Sequence, residues 1–536
     1  MMLRSSPPRR LAASLPRCLA ASLVMVCALH RQAFSAPQTP TLQVRISDRV
    51  VADLGDPAGD FNEPDVCVSR EHRIAAAQWS TAPGPQLNAR FAYGTNQSGG
   101  WTSGPLTGFS AFDVSIALAD NTPGANKFVI AGISGVTGVI GYRIYDPTAS
   151  QQFGPWVIAV TATGGEFVDK PWVIRRTQND FFLFYFRGGT RGYRYLRTAV
   201  GTNWLSPDTN SALVPHNVMD ASCVDIPGQF CCQPAVGGDG NIWLAYATNE
   251  FGPPLAGTIR ILVGTEQSPE APGTCGGALK FEPLRKFNGD EAEVAPRLSQ
   301  NLPWPAGNVF GGLIAKPVPY LACDPTDPSI AYVFYTDIAE DDPSDLNAYV
   351  ARFIKVTDPA DNNVSWWVTD QRVIHDEHTS PFGVRSDQFQ PVGVVDSAGR
   401  IHVTYYSNRP NDVAGCDEAP GCDEPGVSGG DGGYSSKFDY WYSLSVDRGL
   451  TFTHYNLRTD CTAARPLNLG LQGNGVGNVF SPREYNGIDC YESGDSVRIH
   501  VVYTGAVEHC HNTLDDPNHL SLLFGQQILV QPVQNP

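Results

Sequence analysis

The chain has 536 residues, 42% hydrophobic and 17% charged, with 53 glycines and 42 prolines, a balance that excludes a disordered chain and points to a compact, turn-rich β protein. With 54 acidic against 37 basic residues its formal charge is −17, which sets nucleic acid and anionic lipid aside as partners.

Residues 1–35 read as an export signal. Arg4, Arg9, Arg10 and Arg17 precede an apolar run from Leu19 to Leu29, and Ala33 and Ser35 place small residues at −3 and −1 of a cleavage site. Cleavage removes five arginines and no acid, taking the formal charge from −17 to −22. The mature chain, 36–536, is then expected to be secreted, periplasmic or held at the cell surface. No later stretch is apolar for long enough to span a bilayer as a helix, so a transmembrane anchor is not expected.

Beyond the signal, one unit recurs. An apolar run, a tight turn and a second run rich in β-branched and aromatic residues form a β-hairpin, and this grammar appears at 62–79, 112–132, 169–186, 232–247, 316–335, 389–406 and 484–503. The intervals are uneven, yet each leaves room for two further strands, such as YRYLRTAV, TIRILVG and AYVARFIKV. Four consecutive antiparallel strands make one propeller blade. Seven hairpins therefore predict a single all-β domain, a β-propeller of seven four-stranded blades, with six as the alternative if one hairpin belongs to an irregular blade. An open ring would expose a sheet edge. The segment at 41–47 precedes the first hairpin with no blade of its own, so it is expected to close the ring as the outermost strand of the last blade, beside the long strand at 520–530.

Several polar clusters lie between the hairpins. Eleven cysteines remain after cleavage, an odd number, and export favours pairing most of them. Cys416 with Cys422 would close a small loop, Cys461 with Cys490 is the next expected bridge, and the neighbours Cys231 and Cys232 pair with Cys223 or Cys275 or with each other. Asp337, Glu340, Asp341, Asp342 and Asp345 crowd one loop; Asp417, Glu418, Asp423, Glu424 and Asp431 crowd another. Such oxygen-rich loops, Asp337, Asp341 and Asp342 among them, can suit calcium, but acidic surface loops are more often simply solvated. The string from His375 to His378 reads as a solvated loop, since adjacent residues do not all point inward to one metal. The 31-residue connection 407–437 is expected to form a rim flap.

The unit from Phe389 to Phe452 carries the family signal. In SVDRGLTF, Ser445, Asp447, Gly449 and Phe452 match Ser-x-Asp-x-Gly-x-x-aromatic, a turn in which the aspartate accepts backbone hydrogen bonds, the glycine takes positive φ and the aromatic packs between sheets. The match resembles the Asp-box of sialidase-like β-propellers. The resemblance implies that this turn lies on the face opposite the ligand-binding face.

In a four-stranded meander the connections alternate faces, so residues entering each innermost strand share one end of the channel with residues leaving each second strand. The entering residues are Glu63, Asp113, Asp169, Lys170, Gln233, Lys316, Asp387, Gln390, Arg483 and Glu484; those leaving include Arg187, Asn249, Glu250, Asp337 and Arg409. By resemblance this end holds the ligand. If the chain acts as a sialidase, Arg187, Arg409 and Arg483 clasp a carboxylate, and Tyr485 with Glu484 or Glu63 forms the nucleophile pair. The family's Phe-Arg-Ile-Pro motif is missing, with Glu63-Pro64 in its place. The sequence therefore favours a module that binds glycan or extracellular protein, or a structural module of an extracellular assembly, over an exo-acting glycoside hydrolase of sialidase type.

Overall fold

The computed structural model describes residues 42–46, 50–52, 59–81, 87–96, 101–106, 111–120, 126–134, 138–149, 152–162, 167–177, 180–188, 192–198, 213–217, 233–247, 258–266, 279–294, 319–338, 346–359, 363–374, 388–407, 439–457, 487–506 and 521–533. Every regular element among them is a β-strand. The chain divides into two compact units, Met1–Leu42 with Pro532–Pro536, and Gln43–Gln531. Apart from the end residues Leu42 and Pro532, the strands belong to the second.

Seven antiparallel sheets follow one another along the described residues, each with four strands in its main path. Their first strands are Gly59–Val68, Ala111–Asp120, Val168–Thr177, Pro234–Val236, Tyr320–Cys323, Gln388–Val395 and Gly487–Ser493. Each overlaps one of the seven hairpins. These inner strands adjoin one another in chain order, and Gly487–Ser493 adjoins Gly59–Val68. Three segments singled out as further strands form Gly192–Thr198, Ile259–Glu266 and Leu346–Thr357. In the seventh sheet Leu42–Ile46 lies beside Ser521–Pro532, the outer place expected for the N-terminal segment.

The third sheet shows why the runs are apolar on both faces. In Asp180–Arg187, Phe181, Leu183 and Tyr185 pack towards the second sheet, while Phe182, Phe184 and Phe186 pack towards the fourth. A strand sandwiched between two sheets loses its polar face, so strict alternation disappears. Each buried ring contributes about 1.5–3 kcal/mol. Between the fourth and fifth sheets Trp243 and Trp366 meet edge to face at 5.3 Å.

Inner strands pair on one side only, which leaves inward backbone groups to be satisfied by side chains. Ile116 N donates to Asp65 Oδ2 at 2.7 Å, Val173 N to Ser115 Oγ at 3.1 Å, and Val68 N to Asp489 Oδ2 at 2.8 Å. These side chains link the seventh sheet to the first, the first to the second and the second to the third. Burial pushes the carboxyl of Asp65 up to about 7 and that of Asp489 up to about 6. At Gly487 an added Cβ would stand 2.7 Å from Val66 N and 2.9 Å from the Asp65 carbonyl carbon. Only glycine permits that approach.

Cys67, Cys323 and Cys490 are free thiols. This corrects the expected Cys461–Cys490 bridge: Cys490 lies on the inner strand Gly487–Ser493, where burial holds its thiol protonated. Cys461, Cys416, Cys422, Cys223, Cys231, Cys232 and Cys275 lie outside the described residues, as do the string 375–378 and the 408–438 stretch.

Candidate functional site

Four inner strands share the same irregularity near their starts. The ladder skips two residues in each: Glu63-Pro64 between the pairs Asn62/Gln78 and Asp65/Ala76, Asp113-Val114 between Phe112/Ile133 and Ser115/Ala131, Lys170-Pro171 between Asp169/Phe186 and Trp172/Phe184, and Gln390-Pro391 between Phe389/Tyr406 and Val392/Thr404. Such bulges re-aim side chains next to functional sites. Asp113, Lys170 and Gln390 are left-handed, with φ of 46°, 48° and 52°. None is glycine, so each stores about 1–3 kcal/mol of backbone strain.

Tertiary packing holds the strain in place. All three residues are buried. Lys170 Nζ stands 3.4 Å from Asp113 Oδ2, joining the second sheet to the third. Asp169 Oδ1 accepts from Lys170 N at 2.9 Å. Burial, then the Asp113 charge and a hydrogen bond to Asp113, hold the Asp169 carboxyl well above the ordinary carboxylate range. This favours the neutral form of Asp169, while Lys170 stands against the Asp113 carboxyl. The cluster is a buried pair of carboxyls with one lysine, shared between the second and third sheets. In the sixth sheet Gln390 N donates to Thr336 Oγ1 of the fifth at 3.1 Å, and Phe389 stacks on Tyr406 at 5.2 Å.

The structure thus brings Asp113, Asp169 and Lys170 into one cluster and sets Gln390 in the equivalent bulge of the sixth sheet. Gln233 stands half-buried before Pro234–Val236. Arg187 pairs in register with Val168, at the same end of the third sheet as Asp169. The Glu63 backbone occupies the first bulge, with its side chain outside those described. Asp337 is buried, and its Oδ1 accepts from Ile338 N at 2.9 Å, a backbone clamp. No cluster of metal-ligating side chains occurs among the described residues. Lys316, Asp341, Asp342, Asp387, Arg409, Arg483, Glu484 and Tyr485, and with them most of the arginine clamp and the nucleophile pair, lie outside the described residues.

Two features of this end went unread in the sequence. One is a polar residue followed by proline at the start of five hairpins: Glu63-Pro64, Lys170-Pro171, Gln233-Pro234, Lys316-Pro317 and Gln390-Pro391. The other is Phe167, 53% exposed, against Gly188.

The turn 445–451 lies at the other end of its sheet. Ser445 Oγ donates to Asp447 Oδ1 at 2.8 Å, Thr451 N donates to the same oxygen at 2.8 Å, Gly449 N donates to Ser445 Oγ at 2.8 Å, and Gly449 has φ of 84°. Phe452 packs against the core between the fifth and sixth sheets. Nearby, His402 bonds Asp396 Oδ2 at 3.0 Å and Tyr442 Oη at 2.7 Å. This His–Asp pair is fully buried, and burial lowers the His402 pKa, so it is a structural brace of the sheet.

No protein-family model matches the chain, and no curated protein does. Among solved structures it is similar to an α-L-arabinanase of Penicillium chrysogenum complexed with arabinobiose, at 10% identity over 68% of this chain and 94% of that one, TM-score 0.34. It is similar to the β-propeller domain of the Trilobed protease of Pyrococcus furiosus, at 7% identity over 88% and 93%, TM-score 0.37. It is also similar to the hemagglutinin-neuraminidase ectodomain of parainfluenza virus 5, at 9% identity over 73% and 92%, TM-score 0.38. The chain is an all-β protein of consecutive four-stranded antiparallel sheets, the architecture of a β-propeller.

Proposed function

We propose that the chain is an exported, seven-bladed propeller of the sialidase-like Asp-box type, closed by its N-terminal strand, which binds a neutral glycan or an extracellular protein surface at the end where the inner strands begin. The observation that carries this reading is the repeated left-handed bulge, which sets Asp113, Lys170 and Gln390 in equivalent places. Strain kept at three equivalent positions is a mark of function rather than of packing. The hydrogen bonds of the turn 445–451 support the Asp-box assignment. The closed Lys170–Asp113 pair and a formal charge of −22 after signal removal disfavour an acidic sugar.

One observation favours a second reading, an exo-acting glycoside hydrolase. Asp169, its carboxyl raised by burial and by the Asp113 charge, adjoins Asp113, and two carboxyls in unlike environments are the equipment of glycoside hydrolysis.

The test is a glycan array with detection of released sugar, run on the chain 36–536 and on its Lys170→Met variant. Binding without release is expected, weakened about 10-fold in Lys170→Met, as for loss of one charge-assisted hydrogen bond. On sialyl-lactose, no release of sialic acid is expected. Robust release that is lost in both Arg409→Ala and Tyr485→Phe would overturn the binding reading and establish the enzyme.

A further inference from the structure

Phe167 immediately precedes the third sheet's inner strand, Val168–Thr177, two and three residues before Asp169 and Lys170. It is 53% exposed in a molecule whose other phenylalanines of that sheet, Phe181, Phe182, Phe184 and Phe186, are all buried. The ring is nonetheless fixed. Gly188 N donates to Phe167 O at 2.7 Å, and the ring occupies the space of a Gly188 side chain, since a Cβ there would stand 2.1 Å from Phe167 Cε1 and 2.3 Å from Cδ1. Phe186 lies against it at 5.8 Å between centroids, tilted by 52°. A large apolar ring half held in water, on a glycine that makes room for it and two residues along the chain from Asp169, is a preorganised platform.

Resting on the glycan reading above, we infer that Phe167 is the stacking platform for a neutral sugar ring, whose C–H face lies on the aromatic ring while its hydroxyls meet the Asp113–Asp169–Lys170 cluster. The chemistry selects this ligand. An aromatic face attracts the polarised C–H groups of a saccharide, and the cluster two and three residues along the chain carries both donors and acceptors, with its Lys170 and Asp113 charges already paired. Trp367 is equally exposed but lies on the strand Val364–Val373, the last of the fifth sheet, away from the inner-strand entrances.

The experiment is calorimetric titration of the chain 36–536 with neutral hexaoses of the gluco, galacto, manno, xylo and arabino series, with sialyl-lactose as the anionic control. Phe167→Ala is expected to weaken binding of the preferred neutral hexaose about 10-fold, the loss of one stacked ring, and Phe167→Trp to preserve it. Gly188→Ala, which must displace the ring, is expected to weaken it likewise at an unchanged melting temperature, and Trp367→Ala to leave it as in the parent. Equal affinity in the parent and Phe167→Ala overturns the platform and leaves the binding reading standing. Absence of binding to every neutral hexaose overturns the platform and the glycan reading together, leaving a protein partner for that face.

Discussion

Asp65 and Asp489 show how a carboxylate can serve as backbone scaffolding. Each bonds the N–H of the residue after it and one N–H of a neighbouring inner strand: Val66 and Ile116 for Asp65, Cys490 and Val68 for Asp489. Burial outweighs those bonds and raises the Asp65 carboxyl to about 7, with the Asp489 charge adding to the rise. A folded-state value above the unfolded 3.8 means that this group's contribution is fully present below pH 3.8 and is lost as pH rises through about 7. His500 acts in the opposite sense: burial lowers it from 6.5 to about 3, so its contribution is present above 6.5 and is lost as pH falls. The informative quantity is therefore a difference. Asp65→Asn loses an acceptor and is expected to be less stable than the parent at pH 4, with the gap narrowing steadily towards pH 8. Urea unfolding of both chains across that range measures it, and a gap independent of pH would show that Asp65 does not titrate in the fold.

The turn at 445–451 is the element in which sequence and geometry agree most closely. Asp447 accepts from Ser445 Oγ, Thr451 N and Thr451 Oγ1, which hold its carboxyl below the ordinary range although burial alone would raise it. The turn also reaches the neighbouring sheet, since Arg372 donates to Leu450 O at 2.6 Å and Arg448 stands 3.3 Å from Asp327 Oδ2. Asp447→Ala leaves those donors unsatisfied in a half-buried turn and is expected to cost about 1–3 kcal/mol. Thermal unfolding checks it, and an unchanged midpoint would remove the turn from the stability of the sheet.

For the whole molecule, the decisive place is where the last inner strand meets the first. Gly487 lies there with no room for a Cβ against the backbone of Asp65 and Val66. Backbone cannot swing aside as the end of a side chain can, so Gly487→Ala is expected to cost about 1–3 kcal/mol, the usual range for overpacking. Gly494→Ala, with open space around its added Cβ but φ of 59°, separates a steric effect from a purely conformational one. Denaturant midpoints for the two variants decide the matter. A loss at Gly487 no greater than at Gly494 would mean that the two strands do not approach this closely in solution.

The sequence by itself determined the β class and the seven hairpins, because strand runs and turn residues are local signals that repetition makes unmistakable. It also determined that Asp113, Asp169, Lys170 and Gln390 share one end of their strands, since meander topology converts chain position into location. Only the tertiary structure decided what those residues do there. The left-handed bulges, the raised carboxyl of Asp169 and the Lys170–Asp113 pair arise from neighbouring sheets brought together in space. Phe167 is the sharpest case: a phenylalanine at the edge of an apolar run reads as core, and exposure on Gly188 appears only once the third sheet is folded. The free thiol of Cys490 follows the same rule, because pairing depends on which cysteines the strands bring within reach, and that is a property of the fold.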